Sequence, residues 1–358
     1  MNRVASVALS PLARLYGVAM KARRDLYRRG LVRVREIDVP IISVGNLTIG
    51  GTGKTPLVEW VADRLAAANR RVCILTRGYG RANPKQRVIV SNGVEILSSA
   101  EQAGDEAFFL AERLKGRAAV ISDADRVSAA LWAIENLGSE VFILDDGFQN
   151  LGLARNLDLV TIDATNPWGN RRLLPAGILR ESPGELARAD CIVLTRADES
   201  DQIRELESEI NNLSKGRPVF RSRMRILGLR PVGAVVVRLS AEEIKTSTAA
   251  AFCGIGNPQS FFAQLRGDGY KLGHVQIFRD HHVYTQTDLD RIVRAAIAAG
   301  AEVLLTTAKD EVKLRSLRFE LPCYAVDISI EIEEEDNFRS LIEDSRVRSP
   351  TVREGHFE

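Results

Sequence analysis

Four cysteines in 358 residues, with no C-x-x-C pair among them, leave this chain without a disulfide framework or a zinc-finger spacing. Cys73, Cys191, Cys253 and Cys323 lie far apart, three of them inside apolar runs, and are expected as buried thiols in a reducing cytoplasm. Histidine is as scarce, with four. Neither sign of charge dominates: 49 Lys and Arg against 47 Asp and Glu leave a formal +2, so nothing in the overall charge calls for nucleic acid or an acidic partner, and any basic surface is local. No apolar run reaches the about 20 residues that span a bilayer. Residues 4–12 are broken by Pro11 and followed by Arg14, so a signal peptide is not expected. Long repeats, low-complexity tracts and any sign of an obligate protein partner are also missing. What is present, 45% hydrophobic and 27% charged residues, describes a globular protein with chain enough for two or three domains.

Residues 1–35 stand apart. Val4, Ala8, Leu12, Leu15, Ala19, Ala22 and Leu26 recur at helical steps among Arg3, Arg14, Lys21, Arg23, Arg24, Arg28, Arg29, Arg33 and Arg35. Such a basic amphipathic helix can lie on an anionic membrane surface or pack on its own domain. From residue 36 to 220 the pattern is short apolar runs alternating with helical stretches. The runs are Pro40-Ile-Ile-Ser-Val44, Arg71-Val-Cys-Ile-Leu75, Ala118-Ala-Val-Ile121, Val141-Phe-Ile-Leu144, Leu157-Asp-Leu-Val-Thr-Ile162 and Cys191-Ile-Val-Leu194. Apolar almost throughout, they read as strands covered on both faces, in a doubly wound, mostly parallel α/β sheet. Alternation in Val219-Phe-Arg-Ser-Arg-Met-Arg225 and Gly233-Ala-Val-Val-Val-Arg238 predicts a two-stranded linker over 221–245. A smaller α/β domain is expected over 246–345, with strands at Ala249-Ala-Ala-Phe-Cys253, Val303-Leu-Leu-Thr-Thr307 and Cys323-Tyr-Ala-Val-Asp327 and an acidic helix, then a polar tail at 346–358.

The residues that carry chemistry begin at Val44-Gly-Asn-Leu-Thr-Ile-Gly-Gly-Thr-Gly-Lys-Thr-Pro56, between a buried strand and a helix. Backbone N–H groups of Gly50, Gly51, Thr52 and Gly53 can converge on a phosphate, the helix N-terminus adds positive charge, Lys54 reaches the β/γ oxygens, and Thr55 can ligate Mg2+. The strict G-x-x-x-x-G-K-[ST] pattern fails at one place, where Thr48 stands for the first glycine. A magnesium nucleotide site also needs a carboxylate at the end of a neighbouring strand, and Asp145 and Asp146 supply two; a plain Asp-Asp-Gly turn is the other reading. Further polar clusters fall at strand ends: Thr76-Arg-Gly-Tyr-Gly-Arg81, Gly104-Asp-Glu106 and the stretch from Arg171 to Glu181. There Arg77 can neutralise phosphoryl charge and Asp105 or Glu181 can act as base or metal ligand, though each can equally be a cap or a surface ion pair. In Asp280-His-His282 a metal cluster, a carboxylate-oriented acid/base histidine and an incidental loop compete, and acid/base chemistry ranks first.

Taken together, Ser43 to Pro56, Thr76-Arg-Gly-Tyr-Gly-Arg81, Gly104-Asp-Glu106, Asp145-Asp-Gly-Phe-Gln149, Leu173-Leu-Pro-Ala-Gly177 with Leu179-Arg-Glu181, Gly254-Ile-Gly-Asn-Pro-Gln259, Asp280-His-His282 and Thr306-Thr-Ala-Lys-Asp310 resemble, in order and spacing over about residues 11 to 315, the tetraacyldisaccharide 4'-kinase family of lipid A biosynthesis. The resemblance implies transfer of the ATP γ-phosphate to the 4'-hydroxyl of a tetraacylated glucosamine disaccharide 1-phosphate, at the cytoplasmic face of the bacterial inner membrane. It also implies a P-loop core joined through a two-stranded linker to a smaller domain, with Lys54 and the loop amides on the phosphates. Thr55, Gln149 and Glu181 become the candidates for the Mg2+ shell, and Asp105 and His281 the catalytic pair. Asp145 and Asp146 are placed near metal and acceptor with their roles unseparated, and Arg77 on phosphate or acceptor. The competing class is a P-loop assembly or partition ATPase, which usually carries an extra lysine early in the loop, where this chain has Thr48 and Ile49. A GTPase would want Asn-Lys-x-Asp, which Thr195-Arg-Ala-Asp198 only loosely approximates.

Overall fold

A computed structural model describes residues 8–233 and 239–344. Residues 1–7 of the basic segment, the predicted strand at 234–238 and the tail lie outside the described residues. The chain divides into two compact units, one running to Arg223 and resuming at Ile330, the other spanning Met224–Ser329.

In the first unit the apolar runs are strands buried along their whole lengths: β1 (Ile41–Asn46), β2 (Val72–Thr76), β4 (Ala118–Ser122), β5 (Val141–Asp145), β6 (Leu157–Asp163) and β7 (Cys191–Thr195). With β3 (Val88–Ser91) and the start of β8 (Val219–Pro231) the order is β8-β7-β6-β1-β5-β2-β4-β3. Every pairing in this run is parallel except β3 on β4. One core layer gathers Ile41, Leu75, Ile121 and Phe142, another Leu47, Val160, Ile192 and Ile210, as a sheet covered on both faces requires. β1 sits where the strand order reverses, and the crevice at its carboxyl end is where ligands of open α/β sheets bind.

The N-terminal helix Ser10–Arg28 begins with Pro11 in its first turn and has two unlike sides. Ala13, Gly17 and Arg24 face the protein: Ala13 is buried, a Cβ on Gly17 would lie 2.8 Å from Leu173 Cδ1, and Arg24 reaches Glu185 at 2.8 Å. Leu12, Leu15, Val18 and Leu26 are exposed, Leu15 by 67%. No helix among the described residues is long and apolar enough to cross a membrane.

The second unit holds β9 (Thr248–Cys253), β10 (Lys271–Ile277), β11 (Val303–Thr307) and most of β12 (Cys323–Ile332), all parallel in the order β10-β9-β11-β12. The helices Pro258–Gly267 and Gln286–Ala298 bury Phe262, Leu265, Leu289 and Ile292. All four cysteines are buried and free, each within a strand.

Four elements differ from the sequence-based expectation. β3 and β10 are edge strands: β3 offers only the three apolar residues Val88-Ile89-Val90, a run shorter than those that marked the others, and β10 alternates exposed with half-buried residues and shifts register between Leu272 and His274, around Gly273. The return strand beside β8 is the end of β12, where the Glu333 amide donates to the Arg221 carbonyl and Arg223 pairs with Glu331 at 2.9 Å. The acidic helix Glu335–Asp344, expected to close the smaller domain, packs on the first unit instead. Its fully buried Phe338 sits 5.2 Å from the Trp60 ring and 5.0 Å from that of Phe220, and Glu335 pairs with Arg64 at 2.7 Å.

Phe338→Ala should therefore destabilise the first unit by about 3–5 kcal/mol in urea unfolding. A loss below about 1 kcal/mol would mean that this helix is not part of that unit's core.

Candidate functional site

The loop from β1 to the helix Lys54–Ala67 is fastened on both sides. Its first half runs extended: the Ile49 amide donates to the Ile178 carbonyl at 2.8 Å, the Arg180 amide to the Leu47 carbonyl at 2.7 Å, and Thr48 bridges Leu179 antiparallel. An extended residue needs no glycine, which explains why Thr48 is tolerated where the strict pattern has one. In the second half Gly50 and Gly53 take φ of 107° and 81°, left-handed values open to glycine, and Gly53 caps the helix. Thr52 Oγ1 lies 2.8 Å from Thr161 Oγ1 and accepts from Asn46 Nδ2 at 2.9 Å, and Thr195 Oγ1 donates to the Thr52 carbonyl at 3.1 Å. Arg196 donates to the Gly51 carbonyl while paired with Asp163 at 2.7 Å. Lys54 and Thr55 open the helix.

Val44 of β1 lies opposite Asp145 of β5, which brings Asp145 and Asp146 to the end of the strand that feeds this loop. Asp146 adopts φ 54°, a strained conformation for a side-chain-bearing residue. Gly45 lets the turn close down: a Cβ there would stand 2.5 Å from Phe148 Cβ. Asp146 Oδ2 takes the Arg180 guanidinium at 2.6 Å, while its buried Oδ1 faces Lys54 Nζ at 3.4 Å.

The twin carboxylates are driven apart in proton affinity. Burial, then Glu106 and Asp146 as like charges, push Asp145 up to about 7, against Lys54 and a hydrogen bond with Thr76. Burial would also raise Asp146, but Lys54 and Arg180 outweigh it and hold that carboxyl below its ordinary range. Arg126 is a buried guanidinium whose affinity for its proton is lowered by burial and restored in part by Asp145 and Asp146.

Glu106, Arg126 and Arg180 thus join the site without having been singled out from sequence. All three had a usable signal: Glu106 ends the quoted Gly104-Asp-Glu106 cluster, Arg180 adjoins Glu181 in another quoted motif, and Arg126 follows the end of β4.

Gln149 Nε2 donates both to the Asn46 carbonyl at 2.9 Å and to Glu181 Oε2 at 3.1 Å. Glu181, 1% exposed, also takes Arg188 at 2.7 Å and Arg24 at 3.5 Å. Arg77 is exposed past the end of β2, its guanidinium 5.6 Å from the Tyr79 ring centroid, and Asp105 begins the helix Asp105–Arg113 behind Gly104.

The second unit brings its own motifs together at Gly254. The Gly254 amide donates to the fully buried Asp310 at 3.0 Å, and the His281 amide donates to the Gly254 carbonyl at 3.2 Å. His281 has φ 58° and an exposed ring. His282 is held by Asp288 at 3.1 Å and stacks 4.6 Å from Phe278. A clamped His282 and an exposed His281 separate two residues that the sequence could not tell apart. Among the described residues no group of three His, Cys, Asp or Glu side chains is placed to hold a metal, so the metal reading of Asp280-His281-His282 lacks a third ligand.

A parallel sheet with a glycine-lined loop at its reversal point, and carboxylates at the end of the adjoining strand, is the architecture of a P-loop α/β protein. The profile of the family described as tetraacyldisaccharide-1-P 4'-kinase matches residues 5–346. The tetraacyldisaccharide 4'-kinase of Desulfotalea psychrophila is 42% identical over 322 residues, covering 88% of this chain and 90% of that protein. That of Geobacter metallireducens is 40% identical over 316 residues, with coverages of 88% and 90%. The crystal structure of LpxK from Aquifex aeolicus in complex with ATP superposes with a TM-score of 0.74 at 33% identity, covering 95% of this chain and 99% of that one. The chain belongs to the tetraacyldisaccharide-1-P 4'-kinase family.

The raised Asp145 has a consequence for stability. Folded Asp145 keeps its proton to about 7 while the unfolded residue loses it near 3.8, so the folded state binds more protons between these values and stability falls as pH rises through that window. Ligand-free Asp145→Asn should lose less melting temperature than the wild type between about pH 4 and pH 7, read by thermal denaturation. Parallel curves would refute the shift.

Proposed function

We propose that this protein transfers the γ-phosphate of ATP to the 4'-hydroxyl of a tetraacyldisaccharide 1-phosphate, giving lipid IVA, at the cytoplasmic face of the inner membrane. The observation that carries the reading is the fastened loop of Gly50, Gly51, Thr52, Gly53 and Lys54 facing Asp146, in a chain of this family. The loop amides and Lys54 hold the phosphates, and Arg77, Arg126 and Arg180 meet charge that grows on the transferring group. Asp105 receives the 4'-hydroxyl proton as its oxygen attacks the γ-phosphorus in line, and His281 is the second member of the acid/base pair. Asp145 and Asp146 serve the acceptor side of the phosphates.

Mg2+ fits the donors present: oxygen ligands, no all-protein cage, and a carboxylate cluster whose mutual repulsion a hard dication relieves. Thr55 and Gln149 would hold it, with Glu181 behind Gln149 because its own oxygens already meet Arg188 and Arg24. When bound it would neutralise negative charge on the phosphates.

The exposed leucines of the helix Ser10–Arg28, with Arg14, Lys21 and Arg23 exposed beside them, support a peripheral membrane position where an acylated substrate resides. The assembly ATPase alternative has no comparable support, since the relatives are kinases.

Labelled γ-phosphate from ATP·Mg should appear in a detergent-dispersed tetraacyl disaccharide 1-phosphate, and Lys54→Ala and Asp105→Ala should each lower this by about a hundredfold or more. Hydrolysis of ATP at one rate with and without the lipid, and no phosphorylated product, would overturn the assignment. His281→Ala should lower kcat by about a hundredfold while leaving ATP affinity within about threefold. Equal losses in both would remove His281 from the proton transfer.

A further inference from the structure

Glu181 is the place where the N-terminal helix meets the phosphate site. Its carboxylate is 1% exposed, and such a charge persists in the interior only if it is compensated. Two guanidiniums supply this from opposite sides. Arg188 Nη2 donates to Oε2 at 2.7 Å, and Arg24 Nη1, from the helix Ser10–Arg28, donates to Oε1 at 3.5 Å. Glu185 closes the ring, taking Arg24 at 2.8 Å and Arg188 at 3.0 Å. Arg188 further lies 4.2 Å over the ring of Phe148, two residues past Asp146.

From this ring a chain of polar contacts leads to the loop lysine. Glu181 Oε2 accepts from Gln149 Nε2 at 3.1 Å, and Gln149 Oε1 accepts from Arg180 Nη1 at 3.5 Å. The same Arg180 nitrogen binds Asp146 at 2.6 Å, and Asp146 faces Lys54 at 3.4 Å. Arg24 is the member of this chain that comes from the N-terminal helix, 157 positions from Glu181.

We infer that Arg24 is a positioning residue for phosphoryl transfer, coupling the seating of the N-terminal helix to the geometry of Gln149, Arg180, Asp146 and Lys54. The inference rests on the proposed kinase activity for its kinetic expression, and on the contacts alone for its structural one. Removing Arg24 leaves Glu181 and Glu185 sharing Arg188, so the buried carboxylate turns toward its remaining donors and the Gln149 amide follows it. Groups that act on the transition state through another side chain typically change rate by about ten- to a hundredfold. Arg23, one residue away, points outward and touches none of these groups: it is exposed, with its guanidinium 5.9 Å from the Tyr27 ring centroid.

The test compares full-length wild type, Arg24→Ala, Arg24→Lys and Arg23→Ala in three measurements: kcat and KM for ATP with detergent-dispersed substrate, binding to phosphatidylglycerol vesicles, and amide hydrogen exchange over residues 146–150. Arg24→Ala should lose about tenfold in kcat with KM for ATP within about twofold, bind vesicles within about twofold of wild type, and exchange faster at 146–150. Arg24→Lys should recover part of the rate, and Arg23→Ala should keep the wild-type exchange at 146–150. Wild-type exchange at 146–150 in Arg24→Ala would overturn the coupling, as would a loss confined to vesicle binding. If the wild type itself transferred no phosphate to the lipid, the proposed activity would fall while the exchange comparison still decided the coupling.

Discussion

Val44 opposite Asp145 is the pairing on which the site depends. β1 delivers the loop that Gly50 and Gly53 bend, and β5 delivers Asp145 and Asp146 to the same end. A slip of one residue between the two strands would exchange every inward side chain for its outward neighbour and carry the carboxylates away from Lys54. What resists the slip is close packing on both faces: Ile41, Ile42, Phe142 and Ile143 have no accessible surface, and a slip would set each against neighbours shaped for a different side chain. The turn after β5 then closes onto β1 because Gly45 has no Cβ, and the Gly147 amide donates to the Val44 carbonyl at 3.1 Å.

The loop is held from the opposite side by β6 and β7. Thr161 and Thr195 are buried hydroxyls at the ends of those strands, and both bond Thr52. Arg196 adds a charged donor to the Gly51 carbonyl and is itself fixed by Asp163. A loop built this way has its Gly51 and Thr52 carbonyls engaged behind it before any ligand arrives, which lowers the cost of ordering it.

Much of this was legible in the chain. The strands of the first unit's interior were readable because burial on both faces leaves uninterrupted apolar runs, and the loop was readable because its glycines, lysine and threonine fall between one such run and a helix. β3 and β10 were not, since three apolar residues in β3 are too few to stand out and β10 alternates exposed with half-buried residues. The final helix was assigned to the wrong unit for a different reason. Its amphipathic spacing says that Phe338 is covered, but no local pattern says that Trp60 and Phe220 cover it. The same limit applies to the site. Lys54, Asp145 and Asp146 announce themselves through motifs, whereas the compensation of Glu181 by Arg24 and Arg188 is a relation among charges remote in sequence, and a surface arginine on a basic helix reads the same whether or not it has such a partner.

The balance of charge around the loop bears on why two aspartates stand side by side. Lys54, Arg126 and Arg180 oppose Glu106, Asp145 and Asp146, with Arg77 near Arg126. Were all three carboxylates charged, they would offset Lys54, Arg126 and Arg180 and leave little net attraction for a polyphosphate. Burial shifts one of them: Asp145 keeps a proton to about 7, while Asp146 stays ionised between Lys54 and Arg180. The pair therefore supplies one fixed anion that orients two cations and one group whose charge follows its surroundings. That asymmetry arises from position alone, since the two side chains are chemically identical and differ only in that Asp145 ends a buried strand while Asp146 turns out of it at φ 54° toward the two cations.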